Sequence, residues 1–133
     1  MNTAQIVLIE DNPADVDLVK LALQEAGIKS EITLYSNGGD ALKALAAPNL
    51  SFQPNAILLD LNTPGTDGFE VHLKLRQLPR LSQVPIAILT SSRARADKHR
   101  AALQGARYVE KPSQLQDFLA TVGQLVKELL PAA

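Results

Sequence analysis

Apolar residues recur along the chain in two rhythms. Unbroken apolar runs fill residues 6–9, 56–59 and 86–89, and each stops at polar residues: Glu10-Asp11, Asp60 and Thr90. Runs this short, closed by turn chemistry, predict strands buried on both faces, as in a parallel sheet. Two further strands carry a weaker signal. They are residues 31–35, where Ile32 and Leu34 flank Thr33, and residues 107–109, followed by Glu110-Lys111-Pro112. Between the strands the spacing turns helical. Asn12 and Pro13 open a first helix that carries Val16, Val19, Leu23 and Ala26 and stops at Gly27. Asn37-Gly38-Gly39 reads as a loop, with Asp40 opening a short helix that bears Leu42 and Leu45. Residues 68–77 are predicted helical with Val71, Leu75 and Leu78 inward, and residues 94–104 helical up to Gly105. Ser113 and Gln116 have capping-box spacing. Behind them Leu115, Phe118, Leu119, Val122, Leu125, Val126 and Leu129 trace one apolar stripe.

A strand followed by a helix, five times over, predicts an α/β fold: a doubly wound, five-stranded parallel sheet with helices on both faces. At 133 residues the chain reads as a single domain, residues 1–133, with no output domain after the last helix. A net charge of −1 gives no global nucleic-acid or membrane signal. The absence of cysteine excludes disulfides and thiolate metal sites. The N-terminus lacks the basic and long apolar regions of a signal peptide, and no run approaches ~18 apolar residues, so the expectation is a cytoplasmic protein without a membrane span.

The polar residues that end the strands carry the chemistry. In a parallel sheet all carboxyl ends lie on one edge, where ligands bind. Glu10, Asp11, Asp60, Thr90 and Lys111 would converge there. Clustered carboxylates repel and need a cation. Oxygen ligands without Cys or a nearby His select Mg²⁺, or Mn²⁺, over Zn²⁺. Asp11 and Asp60 would bind it directly, helped by the Asn62 main-chain carbonyl, with Glu10 acting through water. A carboxylate beside such an ion and a lysine can attack a phosphoryl group and form an acyl phosphate. Lys111 would neutralise the phosphoryl oxygens and Thr90 would donate a hydrogen bond to them.

Glu10-Asp11, Asp60-Leu61-Asn62 with Pro64, Asp67-Gly68, Thr90-Ser91 and Lys111-Pro112 together resemble a response-regulator receiver domain from end to end. The resemblance implies a flavodoxin-like strand order 2-1-3-4-5. It makes Asp60 the phosphoacceptor, Lys111 its ion-pair partner, and Thr90 with Tyr108 a switch pair, and it raises a cis Lys111-Pro112 bond. It further implies a histidine kinase as phosphodonor, docking on the first helix near Asp15, Asp17, Lys20 and Gln24. Glu10-Asp11-Asn12-Pro13-Ala14-Asp15, the Leu-Thr-Ser-Ser after the fourth strand and Lys-Pro-Ser resemble stand-alone regulators paired with phytochrome-type kinases. Ser113 departs from the commoner pattern, where an apolar residue follows Lys-Pro. A switched surface and a homodimer through the fourth helix, fifth strand and fifth helix are expected, with Asn62 and Ser92 tuning self-dephosphorylation. Direct nucleic-acid binding is not expected, because the basic fourth helix has no interleaved aromatics.

Other readings remain open at this point. A haloacid-dehalogenase-type phosphatase also uses an aspartyl nucleophile, but it needs an acid where Asn62 stands. A pure interaction module, or a flavin mononucleotide binder, would leave the acids and Lys111 unexplained. His72 and His99 are expected to face solvent, Asp40 and Asp67 to cap turns, and Phe52, Phe69 and Phe118 to pack.

Overall fold

The computed structural model describes residues 3–131. Five parallel strands, β1 (Ala4–Ile9), β2 (Ser30–Tyr35), β3 (Ala56–Leu59), β4 (Ile86–Thr90) and β5 (Arg107–Glu110), form one sheet in the order β2-β1-β3-β4-β5. The helices are α1 (Pro13–Glu25), α2 (Gly38–Leu45), α3 (Gly68–Gln77), α4 (Arg95–Leu103) and α5 (Leu115–Leu129), with a 3₁₀ turn at Pro79–Leu81. This is the doubly wound, flavodoxin-like topology expected from the sequence.

Side chains alternate between the two faces of the sheet, and the alternation sorts the core into two layers. Ile6, Leu8, Ala56, Leu58, Ala87 and Leu89 pack with Val16, Val19 and Leu23 of α1 and Phe118, Val122 and Val126 of α5. Val7, Ile9, Ile57, Leu59, Ile86 and Ile88 pack with Ala41 and Leu45 of α2 and Phe69, Val71 and Leu75 of α3. Helix α4 is the exception: only Ala101 on it is buried. Asn12 caps α1 by accepting from the Ala14 and Asp15 N–H groups, with Pro13 in the first helical turn.

The structure corrects several sequence expectations. Helix α2 begins at Gly38, not Asp40, because Asn37 caps it and Gly38 lies too close to Val71 for any side chain. Asp40 answers the cap, accepting from the Asn37 side-chain amide at 3.0 Å. The Ser113–Gln116 capping box does not form: Gln114 is the N-cap of α5 and makes no side-chain bond. Leu115 lies off the buried stripe, half exposed. His72 is buried at 4% exposure, not solvent-facing, while His99 is exposed. The Lys111-Pro112 bond is trans.

Candidate phosphoryl-acceptor and metal site

Glu10, Asp11, Asp60 and Lys111 are each the first or second residue beyond a strand, Thr90 ends β4, and backbone bonds hold the strand ends in register. The Glu10 N–H donates to the Tyr35 carbonyl, the Asp60 N–H to Ile9 and the Lys111 N–H to Thr90, at 3.0, 3.0 and 2.8 Å. The sheet therefore fixes these Cα positions before any side-chain contact forms. Alternation does the rest. Glu10 continues the Ile6-Leu8 face, Asp60 the Ala56-Leu58 face and Lys111 that of Val109, so all three lie on the α1/α5 side. Thr90 and Tyr108 have the opposite parity and belong to the α3/α4 side.

Lys111 Nζ lies 2.5 Å from Glu10 Oε1, 2.8 Å from Asp15 Oδ2 and 3.1 Å from Asp60 Oδ2. The second Glu10 oxygen accepts from the Asp11 and Asn12 N–H groups at 3.1 and 3.3 Å, which pins the β1–α1 loop. Asp60 Oδ1 accepts from the Asn62 N–H at 3.1 Å. Glu10, Asp11 and Asp60 each offer a carboxylate oxygen, all within 4.8 Å of one another. Glu10 and Asp60 are buried, and Asp11 opens to solvent.

The electrostatics follow from this crowding. Burial is the largest influence on Glu10; the Lys111 hydrogen bond opposes it, the nearby Asp60 reinforces it, and the carboxyl is pushed up to about 7. Burial works to lower the Lys111 ammonium, but its bonds to Asp15 and Glu10 and the charge of Asp60 outweigh it, and the net shift is upward. Lys111 is thus firmly charged and satisfies one part of an acidic pocket. The remaining carboxylates form an oxygen-only set with one solvent-facing member, a donor chemistry that fits a hard divalent cation.

Asp15 is the residue that sequence reasoning placed elsewhere. The sequence places it only on a docking face, and the structure adds a bond to Lys111. The available signal was its place in the first turn of α1, where side chains lean back toward the helix start and hence toward the strand ends. Thr90 lies on the other side of the pocket. Its hydroxyl oxygen is reached by the Asn62 side-chain amide at 3.5 Å and by the Ser92 N–H at 3.3 Å. The Tyr108 hydroxyl does not reach Thr90; it donates to the Ser92 carbonyl at 2.6 Å. Asp67 caps α3 by accepting from the Phe69 N–H, as a capping residue should.

The fold and this pocket are those of a receiver domain. The chain belongs to the response regulator receiver domain family, whose model matches residues 6–123. Among curated relatives it is 35% identical over 121 residues to the response regulator Rcp1 of Synechocystis sp., covering 88% of this chain and 82% of Rcp1. It is 34% identical over 124 residues to the DNA-binding dual master transcriptional regulator RpaA of Synechocystis sp., covering 92% of this chain but only 49% of RpaA. Among solved structures, the phosphorylated cyanobacterial phytochrome response regulator RcpA superposes with a TM-score of 0.87 at 26% identity, covering 98% of this chain and 100% of RcpA. The Mn²⁺-bound form of Rcp1 superposes with a TM-score of 0.85 at 33% identity, covering 97% and 99%. No helix among the described residues is long and apolar enough to cross a membrane.

Proposed function

We propose that the chain accepts a phosphoryl group on Asp60 from the phosphohistidine of a histidine kinase, with Mg²⁺ bound, and that the modification switches a protein-binding surface. One observation carries this reading: a buried carboxylate at the end of the central strand has an ammonium 3.1 Å away and two further carboxylates close enough to share an ion with it. In the transfer, an Asp60 oxygen forms the new O–P bond as the N–P bond of the phosphohistidine breaks. The electron pair returns to the imidazole nitrogen, which takes up a proton from solvent.

The chain's own residues supply position and charge. Asp11 and Asp60 would hold the cation with the Asn62 carbonyl, and Glu10 is tied to the loop and to Lys111. When bound, the ion neutralises charge on the phosphoryl oxygens. Lys111 lies beside the acceptor oxygen and offsets the same charge. Thr90, whose hydroxyl faces the Asn62 amide, would turn its O–H toward the phosphoryl group. Tyr108 completes the switch pair from β5. Asn62 and Ser92, on either side of Thr90, would flank an incoming water and set the lifetime of the acyl phosphate.

The responding surface is α4, β5 and α5. Strand β5 is a sheet edge, and edges invite partners. A second copy of the chain is the occupant favoured here. The likeness to RcpA supports a phytochrome-type kinase as donor, and a cytoplasmic location would suit it.

The test is phosphate incorporation from acetyl phosphate with Mg²⁺, read by intact mass. Wild type is expected to gain one labile phosphate, and Asp60→Asn or chelation to abolish it. Equal incorporation in Asp60→Asn would refute the assignment.

A further inference from the structure

Helix α4 is fastened differently from the other helices. It buries one residue, Ala101, and its N-cap, Ala94, makes no side-chain bond. Polar ties hold it instead. Arg100 pairs with Asp67 at 2.9 Å and lies over the Phe69 ring, 4.6 Å from its centroid. Lys98 and Arg93 pair with Glu110 of β5. Gln104 reaches the Phe69 carbonyl at 3.3 Å. An element with so little apolar burial opens locally at low cost.

One tie differs from the rest because it leads to the acceptor pocket. Ser92 Oγ donates to Asp97 Oδ2 at 2.5 Å and accepts from the Ala94 N–H at 3.3 Å. Ser92 thereby ties the segment that enters α4 to a side chain of the helix's first turn. The same residue donates its N–H to the Thr90 hydroxyl and accepts the Tyr108 hydroxyl on its carbonyl. Among the side chains in this chain of bonds, only Asp97 belongs to α4.

We propose that Asp97 is a positioning residue: with Ser92 it forms a latch that holds the first turn of α4 in register with Thr90 and Tyr108. The inference deepens the function proposed above by naming how the site is read out. When Thr90 turns its hydroxyl to a phosphoryl group on Asp60, the Ser92 N–H loses its acceptor and the 91–94 segment is free to shift. The Ser92–Asp97 bond then breaks, and α4 leaves its docked position. A helix seated on a greasy face would resist this; one seated on exposed ion pairs does not.

Amide hydrogen exchange over residues 92–103 tests the latch. In unphosphorylated protein, Asp97→Ala should speed exchange in this segment by roughly ten-fold, the loss of one charge-assisted hydrogen bond. Exchange in α1 and α5 and the global unfolding midpoint should stay near wild type, which excludes general unfolding. Asp97→Asn keeps an acceptor for Ser92 and should restore slow exchange. In wild type, incorporated phosphate should raise exchange over 92–103 toward the Asp97→Ala level. Wild-type exchange in Asp97→Ala would overturn the latch. So would fast exchange in Asp97→Asn, since the helix dipole and not the bond would then be the cause. Incorporated phosphate with unchanged α4 exchange would overturn it as well. Failure to incorporate phosphate would strike the functional reading alone, because the unphosphorylated comparison decides the latch by itself.

Discussion

Glu10 illustrates how a single buried carboxyl reports on its neighbours. Burial first, and then Asp60, push it from 4.5 to about 7 against the pull of Lys111. A folded-state value above the unfolded one means that the folded chain holds the proton more tightly. That contribution to stability is complete below pH 4.5 and is lost as the pH rises to about 7. His72 is shifted the other way, lowered by burial and then by Arg76, and adds the opposite slope below 6.5. The useful measurement is therefore a difference. In EDTA, urea midpoints of wild type minus Glu10→Gln should fall between pH 4.5 and 7, because His72 cancels. A flat difference would show that Glu10 titrates normally. At this scale the sequence was informative about which groups matter but not about all their partners. Glu10, Asp60 and Lys111 could be placed from strand ends and parity alone. For Asp15 the first turn of α1 gave only a direction, toward the strand ends, and its contact with Lys111 depends on how far α1 leans over the sheet. The single tie from Tyr108 to the Ser92 carbonyl depends likewise on a loop path that no spacing encodes.

At the scale of elements, unbroken apolar runs made β1, β3 and β4 legible, because a strand buried on both faces leaves no other period. The ends of helices were less so. Gly38-Gly39 looks like a loop because glycine is a poor helix former. The structure uses Gly38 for a different property: a Cβ there would strike the Val71 side chain, so α2 and α3 approach through the missing side chain. Gly38→Ala improves helix propensity by up to ~1 kcal/mol, but overpacking costs about 1–3 kcal/mol, so the protein should be destabilised by a net of up to about 2 kcal/mol. Chemical denaturation checks the sign, and a more stable variant would mean that the interface yields. The burial of His72 has a related cause. It stands next to Val71 on α3, and the Gln104 side chain, just past the end of α4, contacts its ring nitrogen at 3.4 Å. A helix as polar as α4 gives no periodic hint of which neighbour it covers.

For the whole molecule, the strand-end pocket and folding are one equilibrium. Glu10 and Lys111 touch across 101 positions of chain, and Asp60 and Lys111 across 51. No unfolded segment presents these groups together, so a cation that binds the pocket binds the folded state alone and must stabilise it. Lys111 already neutralises part of the charge, so the increment should be modest. At a Mg²⁺ concentration roughly ten times its dissociation constant the gain is about 1.4 kcal/mol, or about 5 °C in melting temperature for a chain of this size. EDTA should reverse it, and NaCl at matched ionic strength should not reproduce it. Asp11→Asn provides the decisive arm: Asp11 is exposed and outside the core, so its loss spares the fold while removing the solvent-facing ligand. The increment should vanish in that variant. An undiminished rise in Asp11→Asn would place the ion elsewhere on the surface and break the link between the strand-end acids and the chemistry assigned to Asp60.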